Sequence, residues 1–372
     1  MNKNKKSPVV LICPLDWGLG HAARSIPVIK AFLAKDCKLI IGSDEEPLAF
    51  LQGELLNEAV SYIKFPWRKV KYHKNSSFFL KLFIQLPVIL YSIFKEHREL
   101  KKIIKKTKAD IVISDNRFGL WTKRATSVFI THQVFIKAPR FFKWTEPLLF
   151  QLNKFFFSKF DYCWVPDLPG EDNLSGDLSH KKEIKDIKYI GILSRFSESK
   201  LIIAEKPLPE DFPNEYILIM LSGPEPQRSI LEQKLHSEVD KIGVAAVFLR
   251  GKAGTVSECF SEKKVIFNHL ESSKIKYLIE NAEFIICRSG YSTLMDLSFF
   301  GKKAILIPTP GQTEQEYLGE WLDKKNMAVC VKQSKIDLRK QKSFIKEIKG
   351  LPKIHNNNSL LKAAIDELLE KH

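Results

Sequence analysis

Ten short, apolar, largely β-branched runs constrain this chain more than any other feature. VVLIC, KLIIG, DIVIS, SVFIT and DYCWV lie in its first half, and YILIML, AAVFLR, VIFN, EFIIC and KAILI in its second; longer segments of helical periodicity separate them. Runs with no polar alternation suit strands buried on both faces, as in a parallel sheet covered by helices on either side. The pattern predicts an α/β protein in which two Rossmann-like, doubly wound domains follow one another. A stretch rich in Ser, Pro and charge separates them. The expected boundaries are a first domain over 1–195, a linker over 196–213, a second domain over 214–354 and a closing helical segment over 355–372 that packs back across the linker.

Cys13, Cys37, Cys163, Cys259, Cys287 and Cys330 are scattered, mostly within apolar runs and never spaced C-x-x-C. That usage points to reduced core thiols in a cytoplasmic protein and away from a disulfide framework or a zinc site. The N-terminal MNKNKKSPVV is basic, but the apolar stretch behind it is too short for a signal-peptide core, so no targeting signal is expected. A net charge of +16 favours an anionic contact: nucleic acid, an acidic membrane surface or a phosphorylated substrate. A solvated basic surface without a partner accounts for the charge equally well.

The first apolar run passes into PLDWGLGHAARS, residues 14–25. Gly18, Gly20 and Ala23 fit G-x-G-x-x-A, in which glycines let backbone approach a pyrophosphate at a helix N-terminus. His21 follows the second glycine, where a nicotinamide site needs no imidazole. With a reference pKa near ~6.5, His21 suits proton transfer at neutral pH, and Asp16 is its rival.

The second half carries EFIICRSGYSTLMDLSFFGKKAILIPTP, which predicts a strand, a turn at Arg288–Gly290, a helix over 291–300 and another strand. Ser289, Ser292 and Thr293 bring hydroxyls to the helix start, Arg288 adds a fixed charge, and the first-turn N–H groups favour a phosphate. Asp296, one turn on, is placed to accept from vicinal hydroxyls such as a ribose diol. After the next strand, Gln312, Glu314, Gln315 and Glu316 gather where open sheets bind ligands, a composition suited to a polyhydroxylated molecule. An ordinary capped helix and a solvated helix start explain these two features taken singly.

Together the residues resemble family 28 glycosyltransferases of the GT-B fold. The resemblance is strongest over 264–325, where R-S-G-Y-S-T-L-M-D, G-K-K-A-I-L-I-P and T-E-Q-E-Y look like family elements. It implies two domains facing a central cleft, and a hexose or N-acetylhexosamine moved from a nucleotide sugar, with UDP as the nucleotide. It further implies inverting, metal-independent transfer with no cofactor beyond the co-substrate; the sequence has no Asp-x-Asp triplet to bridge a diphosphate through a metal. Gly20 and His21 match the family's Gly-His loop. Arg288, Gly290, Thr293 and Asp296 would hold the diphosphate and ribose, Gln315 with Glu316 would face the sugar, and His132 with Gln133 would serve the acceptor. Two departures stand out: Asp296 replaces the usual Glu, and LSGPEPQRS, with Ser222 and Gly223, replaces the usual Gly-rich loop of the second domain.

Three other readings compete. A sugar-nucleotide epimerase shares the fold and the donor contacts. A nicotinamide-dependent oxidoreductase would use Asp44 as its ribose acid but leaves the second-half cluster unexplained. A nucleic-acid binder would rest on KAPRFFKWTEPLLFQLNKFFFSKF, yet no nucleic-acid module is recognisable and this stretch reads as helix core plus a solvated face. The acceptor side suggests lipid, since members of the resembled family act on lipid acceptors. FFLKLFIQLPVILYSIF, residues 78–94, is too short to span a bilayer, but with basic flanks over 67–108 it suits an interfacial helix on the inner membrane face. A buried helix with a basic extension is the equal alternative.

Overall fold

The computed structural model describes residues 7–16, 18–66, 78–181, 187–197, 206–252, 258–260, 262–354 and 358–372, with backbone alone for 78–86 and 258–260. The basic cluster WRKVKYHK (67–74) therefore lies outside the described residues. The chain divides into two compact units, Met1–Ser197 with Asn356–His372, and Glu198–His355.

In the first unit, β1 (Val9–Pro14), β2 (Lys38–Ser43), β3 (Val60–Lys64), β4 (Ile111–Asp115), β5 (Thr126–Ile130), β6 (Tyr162–Val165) and β7 (Ile187–Tyr189) form one sheet. Its order is β3-β2-β1-β4-β5-β6-β7, parallel throughout. Helices α1 (Leu19–Leu33), α2 (Glu45–Glu54), α3 (Phe78–Thr107), α4 (Glu146–Phe157) and α5 (Asp177–His180) connect the strands. The apolar side of α3 packs Leu100 and Ile104 against Leu11 and Val112 of the central strands.

The second unit contains β8 (Ile217–Met220), α6 (Gln227–Ile242), β9 (Ala246–Leu249), β10 (Glu258–Phe260), β11 (Lys264–Phe267), α7 (Ser272–Asn281), β12 (Ile285–Cys287), α8 (Tyr291–Phe300), β13 (Ala304–Leu306), α9 (Thr313–Lys324), β14 (Val329–Cys330) and α10 (Leu338–Glu347). The sheet order is β10-β11-β9-β8-β12-β13-β14, parallel except for the β10–β11 pair. A last helix, α11 (Asn358–Leu369), belongs to the first unit, where it buries Leu361, Ala364, Ile365 and Leu368 and pairs Asp366 with Lys35.

All ten apolar runs are strands, and the predicted helix over 291–300 is α8. The four strands the pattern does not mark, β3, β7, β10 and β14, are the four sheet edges. An edge strand is paired on one side and partly wet, so its sequence need not be apolar. β7 reads IKY with no fully buried residue, whereas every residue of β4 is buried. Of the cysteines, Cys13, Cys37, Cys163 and Cys287 are free and buried. Burial pushes the thiols of Cys13 and Cys287 up to about 12, which leaves them protonated and inert.

Each sheet reverses its winding once, between β1 and β4 in the first unit and between β8 and β12 in the second. Open sheets bind ligands outside the carboxyl ends of the strands at such switch points.

Candidate active site

At the switch point of the first unit, β1 ends at Pro14 and the chain turns through Asp16 and Gly18 into α1. Gly18 is the N-cap, with φ 70° and ψ 178°, a region open in practice only to glycine. Space does not require the glycine, because none of the described residues lies within 4 Å of where a Cβ would sit. Gly20 lies inside the first turn of α1, followed by His21. Asp115 is the last residue of β4. Asn116 then takes φ 59° and accepts from the Thr131 hydroxyl at 3.3 Å, so the strand stops with its carboxylate at the sheet edge.

Arg24, three residues after His21 on the same helix face, joins these parts. Its guanidinium grips Asp115 through Nε at 2.8 Å and through Nη2, and both side chains are buried. Nη2 also lies 2.9 Å from His21 Nδ1, and Nη1 lies 3.2 Å from His132 Nδ1. A guanidinium only donates, so His132 accepts on Nδ1. Asn153 of α4 donates to the carbonyls of Gln133 and Val134 at 2.8 and 2.9 Å and so holds the loop that carries His132.

His21 keeps 16% of its side chain exposed. Its Nδ1 stands between a donor, Arg24, and an acceptor, Asp115 Oδ2 at 3.2 Å. When Nδ1–H donates to Asp115, Nε2 bears a lone pair and can take a proton; when Nδ1 accepts from Arg24, Nε2 is already protonated. Burial, then the Arg24 charge, lowers the His21 pKa below the ordinary histidine value, with Asp115 pulling the other way. Burial alone would raise Asp115, but Arg24 and His21 outweigh it and hold the carboxyl well below the usual range. The site is thus a neutral imidazole backed by an ionised carboxylate. Sequence reading found His21, His132 and Gln133 but missed Asp115 and Arg24. The available signals were an acid ending a central strand run and a cation three residues from His21. Asp16 is buried beside the turn, whereas Asp44, the acid of the nicotinamide reading, begins α2 and lies 3.4 Å from Lys64.

In the second unit, the loops after β8, β12 and β13 converge at its switch point. Ser222 and Gly223 are exposed; Gly223 has φ 99°, and a Cβ there would sit 3.5 Å from Thr309 Oγ1. That hydroxyl is buried and has no hydrogen-bond partner among the described residues. A Cβ on Gly290 would lie 4.0 Å from both Thr293 Oγ1 and Gln315 Nε2. Gly290 is the N-cap of α8, so no cap side chain closes the first turn, and Ser292 and Thr293 remain partly exposed.

Several assignments change here. Arg288, expected to place its charge directly at the helix start, is fully buried and turned inward. Its Nη1 donates to the carbonyls of Ile307 and Pro308 at 3.1 and 3.2 Å, and Nη2 donates to that of Gln227 at 2.8 Å. Burial brings the guanidinium down to about 10, so it still carries its charge at neutral pH. Ser289 is buried as well, and its hydroxyl donates to the Gln315 carbonyl at 2.7 Å. Gln315 accepts from the Thr309 N–H at 2.8 Å, and the exposed Glu316 accepts from the Gly311 N–H at 3.0 Å. These two, expected to face a sugar, brace the loop after β13 through those oxygens. Asp296 is buried one turn along α8.

Residues 252–365 match the glycosyltransferase family 28 C-terminal domain. The chain is 33% identical over 94 residues to the UDP-N-acetylglucosamine–N-acetylmuramyl-(pentapeptide) pyrophosphoryl-undecaprenol N-acetylglucosamine transferase of Rickettsia massiliae (strain Mtu5). That stretch is 25% of this chain and 23% of the relative, so the chain spans about a quarter of the length of the curated protein it matches. Likeness in fold runs through the whole chain. The crystal structure of Acinetobacter baumannii MurG aligns with TM-score 0.57 at 12% identity, covering 98% of this chain and 100% of that one. A putative UDP-N-acetylglucosamine 2-epimerase from Listeria monocytogenes aligns with TM-score 0.62 at 12% identity, covering 99% and 98%. The two parallel-sheet units have the GT-B fold, and residues 252–365 within it are similar to the family 28 C-terminal domain.

Proposed function

We propose that this protein transfers a hexose or N-acetylhexosamine from a nucleotide sugar, with UDP as the nucleotide, to a lipid-linked acceptor. The observation that carries the reading is the His21–Asp115–Arg24 assembly, read beside the family 28 C-terminal domain over 252–365. His21 Nε2 takes the proton of an acceptor hydroxyl as its oxygen bonds to the anomeric carbon. The bond from that carbon to the diphosphate breaks, and the nucleoside diphosphate leaves with the electron pair, inverting the centre. The imidazolium that forms donates Nδ1–H to the Asp115 carboxylate. The start of α8 and the buried Arg288 charge supply positive potential for the departing diphosphate, so no metal is required.

The second reading, a sugar-nucleotide epimerase, is kept because the Listeria protein shares this fold. Two experiments test them, and the second separates them. UDP is expected to raise the melting temperature while NADH and NADPH do not, since a ligand of the native state alone stabilises it. Incubation with UDP-sugars and membrane extract is then expected to release UDP and yield a glycosylated lipid in the presence of EDTA. Conversion of the sugar with its nucleotide still attached would establish epimerisation, and stabilisation by a nicotinamide cofactor alone would overturn both readings.

Peripheral membrane attachment is part of the same proposal. No described helix is long and apolar enough to cross a bilayer. On α3, Val88, Leu90, Tyr91 and Phe94 are exposed, while Ile93, Glu96, Leu100 and Ile104 face the unit. That arrangement supports an interfacial role for the helix.

A further inference from the structure

The stretch 140–159 does not have the polar outer face its sequence suggested. A 3₁₀ turn over Arg140–Thr145 runs into α4, and along the pair Phe141 is 88% exposed, Trp144 75%, Leu148 63%, Phe155 57% and Leu152 37%. Leu148, Leu152 and Phe155 stand at i, i+4 and i+7, one narrow sector of a helix. Asn153 and Phe157, buried, stand on the opposite side. A surface helix normally places polar residues on its outer face, so one that is apolar on both faces has a second partner to meet.

We infer that this stripe is a docking surface for an anionic lipid bilayer. The argument is charge complementarity. Between Lys137 and Lys159 there are five basic residues and one acid, Glu146. Glu146 is engaged inward, accepting from the Ala138 N–H and lying 3.6 Å from Lys181. Arg140, Lys143 and Lys154 are exposed and meet no carboxylate among the described residues. A bilayer interface offers an apolar layer and a negative headgroup plane at once, which suits Phe and Trp beside unpaired cations. A second copy of this chain would bring the same cations against themselves.

The surface adjoins the first-unit site. Asn153, on the buried side of α4, holds the loop that carries His132 and Gln133. The segment behind α4 also packs on α3. Trp121 stacks on His97 of α3 at 3.9 Å and lies under the Lys159 ammonium at 4.9 Å, while Phe118 meets Phe156 of α4 at 5.4 Å. The inference deepens the membrane reading above and rests on it, but assigns the contact to different residues.

The test is co-sedimentation of the full chain with vesicles of phosphatidylcholine and phosphatidylglycerol, against phosphatidylcholine alone, at low and high salt. The wild type is expected to bind the anionic vesicles and release as salt screens the charges. Phe141→Ser/Trp144→Ser/Phe155→Ser is expected to bind at least ~10-fold more weakly, since three side chains lose their apolar burial, with the melting temperature unchanged because none supports the core. Should the triple variant fold poorly, Trp144→Ser alone is expected to cost a few-fold in binding. Tyr91→Ser/Phe94→Ser on α3 separates the two surfaces. If only the α3 variant loses binding, the stripe is overturned and the membrane reading stands. If the wild type ignores anionic vesicles at low salt, both fall. If the stripe variant turns a dimer into a monomer while vesicle binding is unchanged, the occupant is a second copy and the inference fails.

Discussion

Three side chains decide whether the first unit can do acid–base chemistry. His21 alone would be a helix-start histidine of ordinary pKa; burial and Arg24 lower it, and Asp115 gives the imidazolium somewhere to donate. A base with a depressed pKa is neutral above the ordinary histidine range, so kcat/KM is expected to hold at neutral pH and to fall only as pH drops below about 6.5. Asp115→Asn removes the group that raises His21, so the acid limb is expected to move to lower pH while turnover drops ~10²–10⁴-fold. His21→Ala should show the same loss with nucleotide affinity unchanged; unaltered turnover in both would remove His21 as the base. The same shift has a stability sign. The neutral His21 contributes stability present above about 6.5 and lost as pH falls toward its folded pKa. Arg288 is the residue whose expected behaviour changed most. It holds three carbonyls from inside the second unit, so Arg288→Ala is expected to leave them unpaired and cost about 3 kcal/mol or more of stability, read in a urea titration. UDP binding should weaken with it; a stable variant with normal UDP affinity would show the guanidinium to be dispensable.

At the scale of elements, the positions that matter are strand ends and the turns leaving them. Both switch points present a loop with a glycine at positive φ, Gly18 after β1 and Gly223 after β8. Gly18→Ala meets no steric neighbour, yet it must hold a backbone conformation that L side chains avoid. It is expected to cost about 1–3 kcal/mol and to lower turnover by tilting the start of α1, which carries His21. A crystal structure of the variant with α1 unmoved and full activity would refute this. From sequence, α3 reads equally as an interfacial helix or as a buried one with a basic extension, and α4 as core with a solvated face; periodicity has no means of choosing which side an apolar stripe faces. An apolar outer stripe and an apolar inner stripe are the same residues to a hydropathy pattern; only burial separates them.

For the molecule as a whole, the sequence by itself determined the architecture. Ten apolar runs marked the ten central strands of two sheets, because strands buried on both faces must be continuously apolar, and the capped run at 291–300 marked α8. The same logic hid the four edge strands, whose partial solvation relaxes the demand on composition. Residue chemistry alone also picked out His21 and the loops after β12 and β13, while the family resemblance pointed to His132 and the loop after β8. Tertiary structure decided the partnerships. Asp115 reaches His21 across 94 residues of chain because β4 lies beside β1 in the sheet, and no local pattern encodes that adjacency. Arg288, Ser289, Gln315 and Glu316 have the composition of a ligand site, but the Arg288 Nη atoms, the Ser289 hydroxyl and one side-chain oxygen each of Gln315 and Glu316 bond to backbone of their own unit. The direction in which a side chain points, toward a ligand or toward a carbonyl that would otherwise be unpaired, is set by packing between segments distant in sequence.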